Sequence, residues 1–153
     1  MEVALDQAAQ AAERGEVPAG CVIVNLSTER TMPPGAVLGK AGNQTEQLKD
    51  PTAHAEILAI TQAAAALGDW RLTETVLYVT KEPCAMCAGA IVLARIPRVV
   101  FGAPDPRRGG AVSVFNILDN PALNHRCEVA SGVLDAPCRE LLQAFFRGRR
   151  QEG

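Results

Sequence analysis

Between Thr75 and Ala103 the chain alternates strand, helix and strand with almost nothing in between. TVLYVT (75–80) is rich in β-branched and apolar residues, the pattern of a strand buried on both faces. Pro83 then opens a helix that runs through CAGAIVLARI, and RVVFGA (98–103) is a further strand. Upstream, CVIVNL is another β-branched strand and AVLGKAGN its hairpin partner, joined by the Pro- and Gly-marked loop STERTMPPG (27–35). DPTAHAEILAITQAAAALGD reads as a helix with Asp50 as N-cap, Pro51 in the first turn and Gly68 at the end. Helix-forming residues 2–14 precede it, stopping at Gly15, while a brief strand near CEVAS and a helix from about 135 close the chain. Strands alternating with helices imply a sheet with parallel members and helices on both faces. No linker or repeat interrupts residues 1–153, which read as one domain.

Composition narrows the function. With 48% hydrophobic and 21% charged residues, the chain can bury a core and is not a disordered segment. No apolar run approaches the roughly 18 residues of a membrane span. MEVALDQAAQAAERGEVP lacks the basic start and apolar stretch of a signal peptide, so the five cysteines read as reduced thiols or metal ligands and the compartment as the cytoplasm. Net charge is only −2, but it is unevenly spread. Residues 1–94 hold six Lys/Arg against eleven Asp/Glu; residues 95–153 hold nine against six, and all nine are arginine. Arginine grips phosphate in a bidentate fashion, so the asymmetry hints at a polyanion, although a solvated helix face with a basic tail is the plainer reading of charge alone.

The strongest chemical signal is EPCAMC joined to the earlier HAE. Cys84 and Cys87, at i and i+3, share one helical face at a helix start, where the helix dipole favours thiolates. One imidazole, His54, and two thiolates suit zinc. Cys21, Cys127, Cys138 and His125 have no partner at ligand spacing, so the set reads as three ligands with one open position, the catalytic pattern. Glu56 is then a candidate base beside metal-activated water, where the plain alternative is an exposed helix carboxylate. Positions i and i+2 of a regular helix point about 200° apart. His54 and Glu56 can therefore converge only near a helix start, where Asp50-Pro51 would put them. H-x-E with P-C-x-x-C, in that order and at helix starts, is the pattern of zinc deaminases of nucleobases.

The sequence resembles the bacterial tRNA-specific adenosine deaminases, within the cytidine deaminase-like superfamily. GEVPAGCVIV, GN followed by DPTAHAE, LYVTKEPCAMCAGA, RVVFGAPDPRRGG, NPALNHR and FFRGRRQE match that family's motifs in order, from about Glu16 to Glu152. The resemblance implies an α/β fold, three-layer α/β/α around a mixed five-stranded sheet, usually a homodimer. It implies a hydrolase that converts wobble adenosine of the tRNA anticodon stem-loop to inosine with one Zn2+ per subunit. Carried over by position, His54, Cys84 and Cys87 bind zinc and Glu56 shuttles protons. Asn43 would hydrogen-bond the flipped base, Ala55 is counted with the substrate contacts, and Val17 and Pro18 would form the pocket wall. Asp105 matches a loop aspartate near the target ribose and Arg107 the basic residue beside it. Phe145, Phe146, Arg149 and Arg150 match the terminal helix that holds the anticodon loop; for the two phenylalanines, packing beside Leu141 and Leu142 competes with stacking on RNA. Two features depart from the family: a short first helix and the long 27–35 hairpin loop, which reads as surface decoration.

Two other readings use the same residues. A deaminase of a free base or nucleoside, such as guanine or cytosine, would share the zinc chemistry but need no basic terminal helix. A zinc-stabilised binding module without catalysis would need a fourth protein ligand.

Overall fold

The computed structural model describes residues 1–152. In chain order its elements are α1 (Glu2–Glu13), β1 (Gly20–Asn25), β2 (Val37–Gly42), α2 (Thr45–Leu48), α3 (Ala55–Leu67), β3 (Thr75–Lys81), α4 (Ala85–Leu93), β4 (Arg98–Ala103), β5 (Glu128–Ala130) and α5 (Asp135–Glu152). The five strands form one mixed sheet in the order β2-β1-β3-β4-β5. β1 runs antiparallel to both β2 and β3, whereas β3, β4 and β5 are mutually parallel. This is the three-layer α/β/α arrangement that the strand–helix alternation implies.

The two faces are filled differently. α1 and α5 lie on one face, and α1 packs onto β1 and β2 through Ala4, Ala8 and Ala11, none of which is exposed. Gly20 and Gly42 sit opposite each other in the β1–β2 register. A Cβ on Gly20 would lie 1.9 Å from the Ala4 carbonyl oxygen, and one on Gly42 2.6 Å from that of Gln7. The alanine stripe of α1 thus needs glycine beneath it, and backbone meets backbone. On the other face α3 and α4 enclose the main core. Ala55, Ala59 and Ala63 recur every four residues along α3, against Ile23, Leu38, Leu77 and Val79 of the sheet and Ile91 of α4. Tight packing of this kind fixes the starts of α3 and α4 relative to β3, where the functional residues sit.

Both helix starts lie later than the sequence suggests. Asp50 does not cap α3; its Oδ1 accepts from the Thr52 amide at 2.8 Å and the Thr52 hydroxyl at 2.7 Å, closing an Asx-type turn over Pro51. That local turn outcompetes helix, and α3 begins at Ala55 with His54 as N-cap in extended conformation (φ −76°, ψ 153°). Pro83 likewise precedes α4, whose N-cap is Cys84 (φ −70°, ψ 174°). The short α2 has no counterpart in the sequence pattern. It rests on Glu16, only 1% exposed, whose carboxylate accepts from the Glu46 and Gln47 amides and the Thr45 hydroxyl.

Candidate active site

Two N-caps meet at the carboxyl end of β3. N-cap positions usually hold Ser, Thr, Asp or Asn, whose side chains fold back onto the helix amides. His54 and Cys84 make no such side-chain cap bond, so imidazole and thiol stay free to face each other. Their backbone carbonyls still accept from Leu58 and Ala88, and the helices start normally. His54 being outside the helix also removes the 200° difficulty: a cap residue in extended conformation need not point away from Glu56 in the first turn.

The His54 Nδ1 lies 3.6 Å from Cys84 Sγ and 3.5 Å from Cys87 Sγ, and the three atoms all fall within 4.8 Å of one another. A tetrahedral zinc with Zn–S near 2.3 Å and Zn–N near 2.05 Å requires an S···N edge of about 3.6 Å. The donor set therefore fits zinc in chemistry and in spacing. Among the described residues no further His, Cys, Asp or Glu joins the cluster. Cys21, Cys127 and Cys138 are buried and free in the core, and His125 donates from Nε2 to the Ile96 carbonyl at 2.7 Å. The hydrogen bond from Cys87 holds the Cys84 thiol down at about 3, despite burial and with help from His54. Cys87 is pushed up by that same contact and by burial, so two thiolates coexist there only beside a cation.

The cluster opens into a cavity of about 230 Å³. That is below the roughly 300–1,000 Å³ of pockets for drug-sized ligands and suits one flat heterocycle. Val17, Asn43, His54, Glu56 and Cys84 line it. Glu56 is 5% exposed; burial raises its carboxyl above the ordinary value, against the pull of its own backbone amide and of His54. Asn43, 7% exposed, accepts at Oδ1 from the Ala55 amide at 2.8 Å, which fixes the orientation of its NH2 group. Ala55 thus contributes its backbone, acting through Asn43.

A scan of family models matches residues 1–150 to the MafB19-like deaminases. Over 150 residues the chain is 49% identical to a tRNA-specific adenosine deaminase of Aquifex aeolicus, covering 98% of this chain and 93% of that one. It is 45% identical to the tRNA-specific adenosine deaminase of Bacillus subtilis, covering 99% and 89%. A solved structure from a study of A-to-I editing by tRNA deaminases at the wobble position superposes with a TM-score of 0.84, at 44% identity, covering 93% and 97%. The chain belongs to the tRNA-specific adenosine deaminases.

Zinc is the cofactor of this deaminase, and the remaining candidate residues divide into three groups. Pro18 is buried beside Val17 without lining the cavity. Asp105 is also buried, and its carboxylate is spent locally: Oδ1 accepts from the Arg107 and Arg108 amides at 3.0 and 3.2 Å, and Oδ2 pairs with Lys81. Neither Asp105 nor Arg107 lines the cavity; Arg108 does. Phe145 and Arg149 line a separate crevice of about 390 Å³ between α1 and α5, where the Arg149 guanidinium lies 5.2 Å from the Phe145 ring and donates to the Gly15 carbonyl. Phe146 is 46% exposed, and Arg150 donates to its carbonyl. Of the two rings, Phe146 is the one free to stack.

Sequence reasoning missed Ala19, Thr45, Lys81, Glu82 and Arg108 among the lining residues. Lys81 and Glu82 had a signal: two charges directly following a strand buried on both faces. The Glu82 carboxylate, 2% exposed, accepts from the amides of Asp105, Val112 and Ser113 and from the Ser113 hydroxyl, tying the 104–113 loop to the cavity. The long hairpin loop lies elsewhere. β1 begins at Gly20, next to cavity-lining Ala19, and ends at Asn25, so residues 27–35 sit at the opposite end of the strand. Asn25 organises that loop, donating from Nδ2 to the Ser27 and Met32 carbonyls and accepting from Arg30.

Proposed function

We propose that this deaminase converts adenosine to inosine at the wobble position of a tRNA anticodon, releasing ammonia, with Glu56 as proton carrier and His54, Cys84 and Cys87 as zinc ligands. The observation that carries the reading is a buried glutamate lining the cavity beside a three-ligand cluster with an open position. Zinc held there supplies a Lewis acid that brings the pKa of water down to about 7. Water adds at C6 of adenine, the C6–N bond breaks, and the net change is one water consumed and one ammonia released. Glu56 accepts one proton of the attacking water at its carboxylate and passes it to the ring nitrogen, then takes the second from the new C6 hydroxyl and delivers it to the departing amine as the C6–N bond breaks. Asn43, held by the Ala55 amide, presents its NH2 group to the base, and Val17 forms an apolar wall.

The target base reaches the cavity from an already unpaired loop, at modest unstacking cost. Arg107 and Arg108 beside the cavity, and Phe146, Arg149 and Arg150 on α5, supply cations and a stacking surface for the anticodon stem-loop. Subunit pairing uses the apolar face made by Met86 and Leu93, seven residues apart on α4, with Val112, Val114 and Phe115 of the following loop, all exposed. An enzyme of tRNA works in the cytoplasm, and no helix among the described residues is long and apolar enough to cross a membrane.

The test is to incubate the zinc-loaded protein with an anticodon stem-loop carrying wobble adenosine, and separately with free guanine, adenosine and cytidine, reading nucleosides by mass spectrometry. Inosine from the stem-loop alone is expected. Product from a free base with the stem-loop untouched would move the enzyme to the free-base class.

A further inference from the structure

Lys81 is the last residue of β3 and lines the cavity, yet the chemistry above gives it nothing to do. Its ammonium pairs with Asp105 Oδ2, and the side chain stays 29% exposed. An ammonium has three donors and no acceptor. The pair with Asp105 uses one, which leaves two for a ligand. The anchor is itself immobile, because Asp105 receives the Arg107 and Arg108 amides at Oδ1 and donates its own amide to Glu82 at 2.9 Å. A flexible lysine stem is thereby held in one place before any ligand arrives, which lowers the ordering cost of binding.

The charge around it is unbalanced. Arg108 lines the same cavity, exposed and in no ion pair among the described residues, and exposed Arg107 precedes it. At the rim, against these three cations stand Asp105, already paired, and Glu82, whose carboxylate is consumed by hydrogen bonds from the 104–113 loop, while Glu56, the third acid, lies beside the metal ligands. A net positive rim around a cavity sized for a base calls for an anion attached to that base. We propose that Lys81 contacts the phosphate flanking the nucleotide held in the cavity, as a point charge, with Asp105 as its positioning partner. This rests on the RNA-deaminase reading above.

The experiment measures binding of a fluorescently labelled wobble-adenosine stem-loop by anisotropy over a salt series, together with kcat and KM. The proteins compared are wild type, Lys81→Met, Lys81→Arg and Asp105→Asn. Lys81→Met is expected to weaken binding and raise KM about tenfold, the scale of one charge-assisted hydrogen bond, with kcat within about twofold. Its slope of log K against log salt should be shallower by about 0.7, the increment that one neutralised single-strand phosphate brings. Lys81→Arg should restore the slope, and Asp105→Asn should retain it while weakening binding, because the ammonium remains but is no longer held in place. An unchanged slope and Kd in Lys81→Met would overturn the proposal. So would an Asp105→Asn slope as shallow as that of Lys81→Met, which would make Lys81 a mere brace for the loop. Tight, salt-dependent binding without inosine from the wild type would sink the deaminase reading while the Lys81 comparison still stood on the binding data.

Discussion

Glu16, Glu82 and Glu56 are all buried carboxylates; Glu82 and Glu56 line the cavity, Glu16 holds the segment that brings Thr45 to it, and the three are satisfied in two different ways. Glu16 and Glu82 are saturated by amides and hydroxyls of segments that wrap the cavity, the 45–47 turn and the 105–113 loop. Burial pulls both carboxyls up, but the hydrogen bonds outweigh it and both end below the ordinary value of 4.5. From another segment Glu56 has only the Cys87 thiol as a hydrogen-bond donor; burial outweighs it and the carboxyl ends above 4.5. Burial alone thus does not mark a catalytic acid. Unused hydrogen-bonding capacity at the cavity is what sets Glu56 apart, and it is the ground on which the proton-carrier role is proposed, while the saturated pair holds the segments around it.

The sharpest break of this contrast is at Glu56. Glu56→Gln keeps the shape and removes the proton carrier, so kcat on the stem-loop should fall by at least about 10²–10⁴, the range for general acid–base catalysis. Zinc content and Tm should stay at wild-type values; residual activity within tenfold would strip Glu56 of the role. Cys87→Ala separates this from a metal effect: it should lose bound zinc, measured by atomic absorption, and activity with it. A variant that kept full zinc would remove Cys87 from the ligand set.

At Glu82 the expectation reverses, from activity to stability. Glu82→Ala leaves three amides and a hydroxyl at the cavity wall without their acceptor, and each buried unsatisfied group costs about 1–3 kcal/mol where water does not replace the bond. Water reaches the Val112 and Ser113 side of this loop, so a loss of about 3 kcal/mol in urea unfolding is expected. Because the same loop carries Val112, Val114 and Phe115, the subunit pairing proposed above should weaken in parallel, read as sedimentation at falling concentration. Stability within about 1 kcal/mol of wild type would show that the loop stands without its latch.

These differences explain what was legible in the sequence. HAE and PCxxC spell out side-chain chemistry, and the alternation around TVLYVT and RVVFGA spells out the sheet; both survive in the structure because they depend on residue type and period. Asp50-Pro51 misled because an Asx-type turn and a helix cap use the same residues, and only tertiary packing of Ala55 decides between them. Lys81 and Glu82 stand out only as charges after a buried strand; their place in the wall is not legible because their partners lie 23 to 31 positions onward, at Asp105, Val112 and Ser113. The division of FFRGRR into one half-buried ring and one exposed ring was open in the sequence for the same reason: the crevice that receives Phe145 is built by α1, at the other end of the chain.

The smallest effect expected is at Glu16, and its sign is set by the direction of its shift. A carboxyl held below 4.5 in the folded protein contributes stability that is fully present above its unfolded pKa and is lost as pH falls through the folded value. Wild type should therefore lose part of its stability below about pH 4.5, and Glu16→Gln should lose less over the same range. At neutral pH the variant should be weaker by about 1–2 kcal/mol, the cost of an N-terminal cap, since Glu16 caps α2 from another segment. Urea midpoints at neutral pH and near pH 4 decide it. If the gap between the two proteins does not shrink on acidification, the ionised carboxylate is not what secures the 45–48 turn, and the parallel drawn with Glu82 fails at its weaker member.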